Sequence, residues 1–191
     1  MLETQTTLSA YFMPDDKKAA LAALVGLIDS AKPGDMYRQI CYGFTADPLA
    51  DAILRAYNRG VDCRLILDHT QSAGRTEAAL LHRMLLAGFP ADRIRIGTST
   101  EHAIIHDKVA VVVGEAVPDA YFDTWEDARS AGYPVVSEGS YNWSDGAGRQ
   151  INTLLLLPSK PFAAYVIKIF DAQWDWLTEH QPQYRLANLT P

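Results

Sequence analysis

Long apolar runs are missing from this 191-residue chain. The longest, ALAALVGLI (residues 20–28), is well short of the roughly 20 residues that a helix needs to cross a bilayer. A basic start followed by an apolar stretch is missing from MLETQTTLSAYF as well, so no secretory leader is read there and the cytoplasm is the expected compartment. Cysteine is scarce. Cys41 and Cys63 each sit in an apolar, strand-like run, which reads as buried free thiols in a reducing environment, with a disulfide as the weaker alternative. Neither has other metal-ligating residues near it in sequence, so no metal site and no cofactor are expected. Basic character is also low: 17 Lys and Arg stand against 23 Asp and Glu, for a net charge of −6, and there is no Lys/Arg run. A protein that coats nucleic acid through a broad positive field is excluded. Any anion this chain handles is gripped locally, by a few side chains.

What the sequence does have is a core and a rhythm. With 48% hydrophobic and 21% charged residues it can bury a sizeable interior. A strand in LSAYFM precedes a helix in KKAALAALVGLIDSA, and MYRQICYGF reads as the next strand. TADPLADAILRAYNRG is a helix with Thr45 or Asp47 as N-cap, Pro48 in its first turn and Gly60 past its end. VDCRLILD is a strand with Val61, Cys63, Leu65 and Leu67 on one face. RTEAALLHRMLLAGFP is a helix and DRIRIG a short strand. Such alternation predicts an α/β fold whose central sheet is mixed but mostly parallel, flanked by helices. Further strands follow in DKVAVVV, VVSEGSYNWS and INTLLLL, with a short helix near residues 124–131. The closing PFAAYVIKIFDAQWDWLTEH is an amphipathic helix that turns Phe162, Tyr165, Ile169, Phe170, Trp174 and Trp176 inward or toward a partner. No repeat or linker divides the chain, so one domain over residues 1–191 is expected.

Two short stretches carry chemistry. In AIIHDKVAVVVGE (103–115), His106 and Lys108 are two apart, which on a strand sets them on one face. Alone, the pair fits a solvated strand edge as well as an anion site. In EGSYNWSDGA (138–147), Ser140 and Asn142 alternate onto one face and offer neutral donors. Phosphodiester cleavage needs a nucleophile for phosphorus, an acid for the leaving oxygen and fixed donors for the other oxygens. A histidine, a lysine, a serine and an asparagine supply these without a metal.

These stretches, with ICYGFTADPLADAILRAYNRGVDCRLILDHTQ (40–71) and LLAGFPADRIRI (85–96) before them, resemble the phospholipase D-like superfamily, in particular its short single-motif bacterial endonucleases. The likeness runs over residues 10–178 and rests on His-x-Lys followed by Gly-Ser-x-Asn on a β/α framework. It implies a metal-independent phosphodiesterase, with a nuclease cleaving DNA or RNA as the leading reading. His106 would be the nucleophile that becomes a phosphohistidine, Lys108 a point charge on the phosphoryl oxygens, and Ser140 and Asn142 further donors. A single copy of the motif implies a homodimer in which two His106 side chains face each other, one attacking while the other protonates the leaving group. Tyr42, His69, Gly139 and Trp143 are candidate pocket residues.

The chain departs from the pattern at three places. The motif aspartate falls on Val113, and a later glutamate, which would fix the imidazole tautomer, falls near Thr153. Glu138 or Thr153 could take over that orienting role, with Asp107 and Asp145 as weaker candidates. Third, 30 residues separate Lys108 from Gly139, where short relatives have roughly a dozen. This insertion, about 116–134, is expected to emerge next to the site, as a lid or as a surface elaboration. A membrane lipid or a small phosphodiester is the alternative substrate, and a catalytically impaired binding or scaffold module is the alternative from another class.

Overall fold

The computed structural model describes residues 7–115, 117–182 and 184. Seven strands form one sheet: β1 (Ser9–Met13), β2 (Met36–Cys41), β3 (Asp62–Asp68), β4 (Ile94–Gly97), β5 (Lys108–Val113), β6 (Val135–Gly139) and β7 (Asn152–Pro158). Their spatial order is β1-β7-β6-β5-β2-β3-β4. Between them lie the helices α1 (Lys17–Asp29), α2 (Asp47–Asn58), α3 (His69–Ser72), α4 (Arg75–Leu86), α5 (Trp125–Ser130) and α6 (Lys160–His180).

The sheet is mixed and flanked by helices, as the alternation predicts, but its parallel part is smaller than expected. Only β2-β3-β4 run parallel, while β5, β6, β7 and β1 pair antiparallel. The reason lies in the connections. Helices α2 and α4 supply the crossovers that parallel neighbours require, and after β4 no crossover helix joins one strand to the next.

The two faces are covered unequally. One face packs α1, α2, α4 and α5 against Tyr37, Cys41, Leu65, Leu67, Val112 and Leu156. The other is covered by α6, whose Ala163, Val166, Phe170, Trp174 and Leu177 recur at helical spacing, with Ile105 of the loop between β4 and β5 packed beside it. Tyr165, expected on the buried side, is 60% exposed, because the buried stripe turns past it. Helix α2 begins one residue away from either expected cap. Ala46 is its N-cap and, having only a methyl side chain, makes no side-chain cap; Thr45 and Ala46 both donate their N–H to the Trp143 carbonyl, which fixes the entry to the helix. Cys41 and Cys63 are buried free thiols, each pushed up to about 12 by burial, which makes them poor nucleophiles.

The insertion does not emerge beside His106. It leaves β5 at Val113, paired with Met36, whereas Lys108 begins the strand opposite Cys41. Those ends are about 17 Å apart at strand rise. At the far end Trp125 packs beside Gly26, and Arg129 donates to Asp35 at 2.6 Å. Trp125, Ala128 and Arg129 are all buried, so the segment is an elaboration of the core at the opposite end of the sheet. The same distance corrects the reading of Val113: a side chain there does not reach the imidazole.

Candidate active site

Three loops meet where β2 and β3 end and β5 begins. Asp68, the last residue of β3, is fully buried, and its Oδ1 accepts from the N–H of Thr70 and Gln71, capping α3. Its Oδ2 accepts from Ile105 N–H at 2.8 Å, which ties the loop before β5 to the end of β3. Tyr42 N–H donates to the Asp107 carbonyl at 2.9 Å, so the chain leaving β2 runs along that loop. On its other side the Phe44 segment bridges to Trp143, and Asn142 lies against Gly43. Glu77 of α4 supports the same turn from beneath, accepting from Phe44 N–H at 2.7 Å and Ser72 Oγ at 2.8 Å. Burial, and then the nearby Asp68 charge, raise its carboxyl to about 7 despite those two hydrogen bonds.

His106 and Lys108 are not strand neighbours. The strand starts at Lys108, and His106 precedes it in the loop, exposed. They are joined differently: the Lys108 ammonium turns back and donates to the His106 carbonyl. It also lies 5.2 Å from the centre of the Tyr42 ring, and the His106 ring lies 4.9 Å from the same ring at a 54° tilt. Tyr42 is held in turn by Gln71, whose Nε2 donates to its hydroxyl at 2.9 Å. Lys108 is only 5% exposed, and among the described residues no carboxylate pairs with it. Burial lowers its pKa, against small raising effects of Cys41 and Asp107.

The second motif is close by but less tightly joined. Tyr141 and Trp143 point into the core, which leaves the exposed Ser140 and the half-buried Asn142 on the other side. Asn142 Oδ1 is shielded and has no partner among the described residues. Thr153 donates its N–H to Ser140 Oγ at 3.0 Å and its carbonyl receives the N–H of Ser140 and Tyr141. It is also paired with Phe12 of β1, and no hydrogen bond joins it to the imidazole among the described residues. Gly139 is required here: its φ is +154°, and a Cβ would stand 2.1 Å from the Thr153 carbonyl oxygen. Glu138 is exposed, in register with Leu155, and no hydrogen bond joins it to His106. Trp143 is fully buried and packs as core, so it is no pocket wall. The His69 ring lies against Tyr184, with ring centres 4.1 Å apart at a 42° tilt.

Asp68, Gln71 and Glu77 were not read as site residues in the sequence. Asp68 carries a signal, an acid closing an apolar run just before HTQS, the pattern of a helix cap. Glu77 carries none, because a glutamate in the first turn of a helix normally faces solvent. Among the described residues no three His, Cys, Asp or Glu side chains converge to hold a metal ion, and no helix is long and apolar enough to cross a membrane.

Fold and site together define a mixed-sheet α/β protein that presents a histidine and a buried lysine where parallel strands end. The chain belongs to the phospholipase D-like family: residues 24–174 match the model of the cardiolipin synthase, PLD-like domain. Among solved structures it is similar to Nuc from Salmonella typhimurium, a phospholipase D family member, with 22% identity, a TM-score of 0.68, and 90% of this chain covering 95% of that one. NucT from Helicobacter pylori gives 20% identity and 0.64, over 92% of this chain and 97% of that one. The polyphosphate kinase from Porphyromonas gingivalis shares the fold at 14% identity and 0.60, over 87% of this chain and 26% of that one. No curated protein sequence matches this chain.

Proposed function

We propose that this chain is a metal-independent phosphodiesterase of the nuclease type, acting as a homodimer. The observation that carries this reading is Lys108: a buried lysine whose ammonium donates to the carbonyl of the exposed His106, with no carboxylate in ion-pair contact among the described residues. A buried cation without a counter-ion is costly, and a phosphate oxygen relieves that cost. An imidazole nitrogen of His106 attacks phosphorus, and the bond to the leaving alcohol oxygen breaks. That oxygen takes its proton from His106 of the partner subunit. Water then attacks the phosphohistidine, giving a proton back to His106 of the partner subunit; the P–N bond breaks, a phosphomonoester leaves, and both imidazoles are restored. Lys108, Ser140 and Asn142 hold the non-bridging oxygens. Tyr42, packed on the His106 ring, limits its rotation and does part of what an orienting carboxylate would do. The family supports phosphodiester chemistry, and the likeness to Nuc and NucT, which covers nearly all of both chains, supports the fold of a short single-motif member; the nucleic-acid substrate is the reading that follows from that single His-x-Lys motif.

The test is cleavage of plasmid DNA, single strands, phosphatidylcholine and bis-p-nitrophenyl phosphate, with EDTA and with His106→Ala. Cleavage of the nucleic acids that resists EDTA and vanishes in His106→Ala is expected. Activity that survives His106→Ala, or that EDTA abolishes, overturns the mechanism. Preference for phosphatidylcholine overturns the substrate. Sedimentation showing only monomer at micromolar concentration removes the shared site.

A further inference from the structure

A groove of about 350 Å³ lies between α6 and the loop joining β4 to β5, and His106 belongs to its wall. Trp176 and Ile169 form the α6 side, while Ile104, Ser99 and Thr100 form the loop side. Ile104 is 45% exposed, and the Trp176 indole is held by stacking on His180, 5.2 Å away at 12°. Gln173, in the same wall, has a shielded Oε1 with no partner among the described residues. No lysine or arginine lines the groove, and Asp107 does, so it suits an uncharged part of a substrate whose phosphate is at His106.

We propose that this groove binds a nucleobase flanking the phosphate held at His106, an inference that rests on the nuclease reading above. A base has flat apolar faces and hydrogen-bonding edges. The groove offers an indole and two isoleucines for the faces, and an amide and two hydroxyls for the edges. An acyl chain would leave the shielded Gln173 amide oxygen without a partner. The groove makes Trp176 a specificity-determining residue.

The test separates binding from cleavage by using His106→Ala, in which binding alone is read. Anisotropy of a labelled short oligothymidylate is compared with that of an abasic strand of equal length. Binding on the order of tenfold tighter for the strand with bases is expected. Adding Trp176→Ala should remove that difference and leave the abasic strand unchanged, while Trp176→Phe should keep most of it. Three results overturn the proposal: equal affinity for the two strands, an equal loss for both in Trp176→Ala, or a preference that survives Trp176→Ala. Two more do so as well: dissociation of a dimer by Trp176→Ala, which makes the groove a subunit contact, and Trp176-dependent binding of phosphatidylcholine vesicles, which makes it a lipid site. If the wild type cleaves no phosphodiester, the nuclease reading fails, and the strand comparison still decides whether the groove takes a base.

Discussion

The two ends of the sheet treat buried charge in opposite ways. Where β2 and β3 end, the buried Asp68 and Glu77 accept from backbone N–H and hydroxyl groups, and among the described residues no lysine or arginine forms an ion pair with them. Where β2 and β3 begin, charges meet each other, the buried Asp35, Arg129 and Arg38 together with the half-buried Asp62, Arg93 and Arg64. Arg129 donates to Asp35, and Arg38, Arg93 and Arg64 surround Asp62. Burial by itself would raise the Asp62 carboxyl, yet these guanidiniums, Arg38 foremost, hold it below its ordinary value. The lesson is general. A buried charge matched inside the chain serves the fold, and under the function proposed above a buried cation without a carboxylate partner is kept for a ligand.

The sharpest break of this contrast is His106→Ala, expected to cost about 10³–10⁴ in kcat/KM on a phosphodiester substrate. Its urea midpoint should stay at the wild-type value, because the side chain is exposed. Lys108→Gln is expected next, at about 10²–10³ in kcat. A loss of stability as large as the loss of activity would mean that Lys108 belongs to the fold after all. At the other end the order reverses. Arg129→Ala leaves Asp35 buried and unpaired, so unfolding in urea should be easier by about 3–5 kcal/mol, with kcat of the folded protein unchanged.

Glu77 gives a pH test of the site end. Its carboxyl ordinarily titrates at 4.5 and here titrates at about 7. Between those values the folded chain keeps a proton that the unfolded chain has lost. Stability from this group is therefore complete below about 4.5, falls as pH rises and levels off above about 7. Glu77→Gln should flatten that slope in urea unfolding followed across pH 4 to 8. The smallest effect is expected from Tyr42→Phe. It removes only the hydrogen bond from Gln71 and keeps the ring against His106, so kcat should fall by a factor of about 2–10.

Local pattern made much of the fold legible. The spacing of Ala20, Ala23, Leu24, Leu27 and Ile28 marks α1, and alternation in VDCRLILD marks β3. Of the candidate site, the residue types were legible and their arrangement was not. Alternation suggested that His106 and Lys108 stand side by side; in the fold the strand starts one residue after Asp107, and the two meet through a lysine that turns back. The insertion was placed by proximity in sequence to Lys108, whereas strand direction carries it to the far end.

The sequence by itself determined the order of strands and helices, the scarcity of positive charge and the presence of one His-x-Lys and one Gly-Ser-x-Asn. All of these are short-range properties, set by periodicity, by caps and by residue chemistry. Only the tertiary structure decided that Tyr42 packs against both His106 and Lys108, that Asp68 and Glu77 brace the loops from beneath, and that Val113 and the insertion belong to the opposite end. Those outcomes depend on which strands pair and in which direction, and pairing is decided by contacts between residues far apart along the chain.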